Sequence, residues 1–193
     1  MASKRESNFI NMVTTLFIVS AVAALTLGSV YTVTKAPIAL AKKKKLEAAI
    51  KTVLPEFDTL QTEKIALGDG SSDSLIFYTA SKDKKIIGTA IKTFTMKGFS
   101  GRIELMVGFL KDGTINNTAV VSHKETPGLG DKMDIKKSKF PVQFEGKNPS
   151  TYNLKVTKDG GDVDAITAAT ITSRAFCDAV DKAYIAFEKE NKK

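Results

Sequence analysis

From Ser7 to Thr34 the chain carries no charged residue over 28 positions. As a helix this stretch would extend about 42 Å, more than the ~30 Å hydrocarbon core of a bilayer. Its centre, Phe9 to Tyr31, is rich in Val, Ala, Leu and Ile, with scattered Thr and Ser. It reads as a single transmembrane helix over residues 9–34. A cleaved signal peptide is the rival reading, because Ala21-Val22-Ala23 has the small-x-small look of a cleavage site. A signal core is ~7–15 residues long, and here the apolar run continues past any such site, which favours the anchor.

Charge follows the anchor. Of the net +8, six charges lie at or before Lys45, mostly in Lys42-Lys43-Lys44-Lys45. The basic excess is therefore membrane-proximal, and no aromatic-and-arginine pattern points to nucleic acid. The lysine run either lies along lipid headgroups or decorates a solvated linker helix. Lys4 and Arg5 flank one end of the apolar stretch, and Lys35 with the tetralysine run flanks the other. The positive-inside rule would keep the large C-terminal part in the cytoplasm, although long domains cross regardless of such charge.

One cysteine, Cys177, excludes an internal disulfide framework and a Cys-ligated iron–sulfur cluster, and one histidine, His123, with no cysteine nearby argues against an intrachain zinc site. Cys177 reads as a small packing residue and His123 as a hydrogen-bonding residue beside a loop. An organic cofactor is the simplest carrier left for any redox role.

After the anchor, Ala39 to Val53 reads as a helix ended by Pro55, and Gln61 to Asp73 as a polar loop. Leu75–Ala80 and Lys85–Phe94 read as strands joined across Ser81–Lys84, and Arg102–Leu110 and Ile115–Val121 as strands joined across Lys111-Asp112-Gly113. Met133–Phe140 is expected to form a short helix and Tyr152–Thr157 a short strand. The last helix is expected from Thr170 to about Glu188, with Phe176, Val180, Ala183 and Phe187 on its core face. The sum is an α+β fold: a small antiparallel sheet with helices packed at one face.

Three segments carry chemistry. The first is Asp164-Ala165-Ile166-Thr167-Ala168-Ala169-Thr170. Small residues before a helix allow a ligand close to the backbone. Free amides of the first turn and the helix dipole favour an anion there. A plain helix cap is the alternative use of such a cluster. The second is Glu125-Thr126-Pro127-Gly128-Leu129-Gly130, a tight loop that would let backbone amides meet a flat ligand. The third, Gly98-Phe99-Ser100-Gly101, reads as a glycine turn before a core strand.

These segments, in this order behind an N-terminal anchor, resemble the FMN-binding subunits of bacterial redox pumps. The likeness is to the G subunit of the Rnf ion-translocating ferredoxin:NAD oxidoreductase, and the C subunit of the sodium-translocating NADH:quinone reductase shares the domain. The resemblance implies covalent FMN, esterified through its phosphate to Thr170, with Asp164 in the flavinylation motif. It implies that Thr167, Ala168 and Ala169 line the attachment site and that Glu125, Thr126, Gly128 and Leu129 lie against the ring. A separate FAD:protein FMN transferase would install the flavin. The chain would catalyse no net reaction alone. It would relay electrons to or from an integral membrane flavin-bearing subunit, contributing to Na+ or H+ translocation, with its domain on the periplasmic side of the inner membrane.

On this reading residues 1–8 are an N-terminal flank, 9–34 the span, 35–60 a juxtamembrane helix and linker, and 61–193 the FMN-binding domain. Ala168 departs from the family pattern, which has glycine at that position. If the position needs a positive φ, alanine strains it by roughly 1 kcal/mol; if it needs only a small residue, alanine serves. The other readings are the quinone-reductase subunit and a non-flavinylated anchor or assembly subunit.

Overall fold

Apolar alternation from Leu75 onward builds a five-stranded antiparallel meander in the computed structural model, which describes residues 8–66 and 73–192. The strands are β1 (Thr59–Ala66), β2 (Ser74–Lys82), β3 (Lys85–Gly98), β4 (Gly101–Leu110) and β5 (Ile115–Ser122), each paired with its sequence neighbour. Two long helices flank them in sequence, α1 (Phe9–Val53) and α2 (Thr170–Asn191). The chain divides into two units, Met1–Lys44 and Lys45–Lys193.

In the first unit the apolar helix leaves Phe9, Leu16, Phe17, Leu25, Leu27 and Val33 exposed around its circumference. A helix that is apolar all round needs lipid or protein about it. Most of its threonine and serine hydroxyls are satisfied internally: Thr14, Thr26, Ser29 and Thr32 donate to the carbonyls of Ile10, Val22, Leu25 and Gly28 at 2.8 Å. Such back-bonding lets Ser and Thr reside where no water is at hand. Among the described residues this is the one helix long and apolar enough to cross a membrane, which fits a single-pass membrane protein. The expected separate helix from Ala39 is instead the continuation of α1, which runs through Pro37. Ala, Leu and Lys fill the stretch after Pro37, all good helix formers, and no glycine intervenes to stop it.

In the second unit the sheet is buried on both faces. Leu75, Phe77, Ile91, Leu105, Val107 and Phe109 face α2 and meet Phe176, Val180, Ala183 and Phe187. Tyr78, Ala80, Ala90 and Met106 form the opposite face and pack against Ala49, Ile50, Val53 and Leu54 at the end of α1. The period of two along β4 thus feeds both cores. Two threonines of β3 fix the register of α2. Thr93 Oγ1 donates to the Ala179 carbonyl at 3.0 Å, and Thr95 Oγ1 donates to Asp178 Oδ2 at 2.6 Å.

Three local expectations are corrected. Residues 61–66 of the expected loop belong to β1, an edge strand with mostly exposed side chains that only its pairing with β2 reveals; residues 67–72 of that loop lie outside the described residues. Met133–Phe140 is not a helix. Single 3-10 turns form on either side, at Gly130–Met133 and Phe140–Phe144, with the lysine-rich segment between them largely exposed. Tyr152–Thr157 is not a strand but a loop with one parallel bridge, Val156 to Val163. Phe140, Phe144 and Phe176 cluster with ring centroids 4.9–5.7 Å apart, joining the middle loops to α2.

Cys177 lies on this buried side of α2, and burial pushes its thiol up to about 12. The thiolate is the reactive form, so the folded chain is expected to resist alkylation at pH 8 and to label fully only in denaturant. Rapid labelling in native buffer would contradict this packing.

Candidate functional site

Where β3 turns into β4, where β5 runs out into the Glu125–Gly130 loop, and where α2 begins, the backbone encloses a cleft of about 310 Å³. Phe99, Glu125, Thr126, Leu129, Gly130 and residues 168–172 line it. Its rim is apolar and open: Phe99, Leu129 and Ile171 are 69%, 42% and 48% exposed.

The floor is polar. Glu125 is buried. Its Oε2 accepts from Thr172 Oγ1 at 2.5 Å, and its Oε1 accepts from the Ser100 amide at 2.9 Å. The Glu125 amide donates to His123 Nδ1 at 3.1 Å, so the lone histidine orders this loop. Gly130 is required beside the carboxylate, because a Cβ there would fall 2.6 Å from Glu125 Oε2 and 2.8 Å from Thr172 Oγ1.

One wall is the start of α2. No side chain caps it, and Ala169 is the cap residue. The amides of the first turn therefore have no partner in their own helix and face outward. A tight turn precedes it, closed by the Ala169 amide donating to the Ile166 carbonyl at 3.0 Å. Ser173 staples this turn, its Oγ accepting from the Ile166 amide at 2.9 Å and donating to the Ala169 carbonyl at 3.0 Å. Ala168 sits at φ 62°, in the left-handed region.

Comparisons with known proteins agree with this geometry. A family model for an FMN-binding domain matches residues 98–185, a span that contains the three cleft-forming segments. The G subunit of the ion-translocating oxidoreductase complex of Vibrio vulnificus is 38% identical over 156 residues, covering 76% of this chain and 74% of the relative. The protein of the same name from Aliivibrio fischeri is 36% identical over 185 residues, covering 90% and 86%. That from Erwinia tasmaniensis is 43% identical over 126 residues, covering 64% and 59%. The chain belongs to the family of G subunits of ion-translocating oxidoreductase complexes.

In this family member the structure brings Glu125, Thr126, Leu129, Ala168, Ala169 and Thr170 to one cleft, although the two groups lie some 40 residues apart. Gly128 is in the same loop at φ 78° with open space beside its Cα. Asp164 and Thr167 lie elsewhere: they line a neighbouring cleft of about 390 Å³ with Lys132, Lys139 and Gln143. There the Gln143 side chain fixes the Asp164 backbone, donating to its carbonyl at 3.1 Å and accepting from its amide at 2.8 Å. Gln143 thus holds the main chain of this segment at Asp164. Four cleft residues, Phe99, Gly130, Ile171 and Thr172, fall outside the site residues that the sequence implies, Gly130 being the last residue of the loop motif itself. Phe99 belongs to the glycine turn expected before a core strand, and it projects into solvent at the cleft. Ile171 stands on the rim. Thr172 is two positions past Thr170, and nothing local marks it.

The residues present fit FMN. Apolar walls and a glycine-opened loop suit a flat ring. Unpaired amides at the start of a long helix suit a phosphate, next to a half-buried threonine. The alanine at 168 occupies a turn position that favours glycine, and the turn forms at a cost. Ala168→Gly is therefore expected to stabilise the protein by about 0.5–1 kcal/mol, after allowing for glycine's greater unfolded-state entropy. Thermal unfolding would show a rise of a few degrees; a fall would mean that the alanine is unstrained.

Proposed function

We propose that this chain is a membrane-anchored electron carrier holding FMN as a phosphoester on Thr170. The observation that carries the reading is the position of Thr170. It opens α2 without a cap and lines the same cleft as Glu125, Thr126 and Leu129. FMN supplies the redox chemistry when bound, taking up one or two electrons and so joining carriers of different stoichiometry. The chain supplies the attachment hydroxyl, first-turn amides toward the phosphate, and apolar walls from Phe99, Leu129 and Ile171.

A threonine hydroxyl is a weak nucleophile at neutral pH and needs an activator. No base stands out for it in the cleft: Glu125 is committed to Thr172 and Ser100, and Asp164 lines the neighbouring cleft. Attachment therefore calls for an external FAD:protein FMN transferase, with Asp164 and Thr167 as part of the sequence that it reads. The carrier would exchange electrons with an integral membrane flavin-bearing subunit of the same complex, on the periplasmic side, and so contribute to Na+ or H+ translocation.

One observation favours a second reading, a non-flavinylated anchor subunit: Ala168 stands at φ 62° where the family pattern has glycine. The turn is nonetheless formed, and the alanine methyl group leaves the cleft open. The deciding measurement is intact mass after coexpression with an FMN transferase. A gain of one FMN less one water supports the carrier. An unchanged mass overturns it in favour of the anchor.

A further inference from the structure

The buried carboxylate of Glu125 joins three separate pieces of chain. Thr172 on the first turn of α2 donates to Oε2, and Ser100 at the β3–β4 turn donates to Oε1, while Glu125 itself comes from the loop after β5. Glu125 is 4% exposed and Thr172 is 1% exposed. The ion pairs among the described residues use other carboxylates. The site is closely built around the group: a Cβ at Gly98 would lie 2.9 Å from Oε1 and one at Gly130 would lie 2.6 Å from Oε2.

An acidic side chain held without a cation is costly to bury unless hydrogen bonds fix it. Here it gains two. Glu125 lines the cleft, so its carboxylate acts on whatever binds there. The start of α2 has the opposite effect, since its amides and dipole favour negative charge near Thr170. The cleft is therefore polarised, attractive to an anion at the Thr170 end and resistant to added negative charge beside Glu125.

We propose that Glu125, positioned by Thr172, sets the redox balance of the site, disfavouring reduction of the group bound in the cleft. Thr172 is a positioning residue that acts only through Glu125. By holding Ser100, the same carboxylate also fixes the turn that carries Phe99 over the cleft. This rests on the flavin reading above and adds to it the residue pair that tunes the cofactor.

The test uses the full chain in detergent, coexpressed with the transferase, as wild type, Glu125→Gln, Thr172→Val and Thr172→Ser. Intact mass reports flavin load, and spectroelectrochemical titration reports the potential. Glu125→Gln is expected to load and to titrate at a more positive potential, raising the reduced-to-oxidised ratio at the wild-type midpoint about tenfold or more. Thr172→Val is expected to shift in the same direction. Thr172→Ser, which keeps the hydroxyl, is expected to return to the wild-type value. In flavin-free protein, Thr172→Val should also speed hydrogen exchange of the Ser100 amide, and Thr172→Ser should not.

Flavin present with one potential across all variants overturns this proposal alone. No flavin on wild type overturns the carrier reading and this proposal with it. A folded Glu125→Gln chain that takes no flavin makes Glu125 an attachment residue and overturns the tuning role. If Glu125→Gln does not fold, the Thr172 pair decides: equal potentials in Val and Ser variants overturn the proposal.

Discussion

Thr170→Val is expected to abolish flavin attachment completely and to leave the fold intact. Valine keeps the shape and β-branching of threonine and removes only the hydroxyl. That hydroxyl makes no hydrogen bond within the described residues, so its loss should change stability by no more than about 0.5 kcal/mol. Intact mass after coexpression with the transferase should show no flavin, beside an unchanged unfolding midpoint. Thr170→Ser should retain the cofactor because the nucleophilic oxygen remains. Two nearby threonines make the test specific. Thr172 is buried and committed to Glu125, whereas Thr167 is exposed on the neighbouring cleft. Full flavin on the Val variant would remove Thr170 from its assigned role and make Thr167 the first alternative site to map.

Strands β2 to β5 were legible because each alternates or runs apolar between clear turns, and α2 because Phe176, Val180, Ala183 and Phe187 repeat at helical spacing. Strand β1 was not. Thr59–Ala66 has no apolar alternation, and it is a strand because β2 offers it a partner over its whole length. The turn at Asp83-Lys84 was placed correctly, but both residues adopt positive φ without glycine, a conformation that only the closing strands impose. Continuity of α1 was hidden by Pro37, a helix breaker on local rules.

The cleft divides along the same line. Motifs named Glu125, Thr126, Leu129 and the residues around Thr170, because each segment has a local pattern. Thr172 gains its role from a carboxylate 47 residues earlier in the chain, and Phe99 gains its role from the openness of a turn. Pairings over such separations leave no periodic trace. The position of Asp164 away from the cleft was equally invisible, since sequence adjacency to Thr170 says nothing about the turn between them.

Gly108→Ala is expected to be severely damaging for so small a change, costing about 3 kcal/mol. Gly108 lies in β4 between Ala90 of β3 and Asn117 of β5, on the sheet face that receives the end of α1. An added Cβ would run directly into the Val53 carbonyl oxygen and carbon. These are backbone atoms, so no rotamer change relieves the clash. Two further contacts hold Val53 where it is. Asn116 Nδ2 donates to the same carbonyl at 2.9 Å, and Leu54 fits beside Gly88, whose own Cβ would lie 3.3 Å from Leu54 Cδ2. The alanine must therefore push the helix end off the sheet or distort β4. Either outcome uncovers Ile50, Tyr78 and Met106, which are now buried. Urea unfolding should show the loss in stability. Limited trypsin digestion should show faster cleavage after Lys51, which is exposed on this last turn but protected while the helix is docked. Asn116→Ala, which removes one hydrogen bond and adds no clash, should cost only about 1 kcal/mol. A Gly108→Ala chain with wild-type stability and wild-type cleavage would mean that Val53 does not rest on β4, and that the second core is built differently.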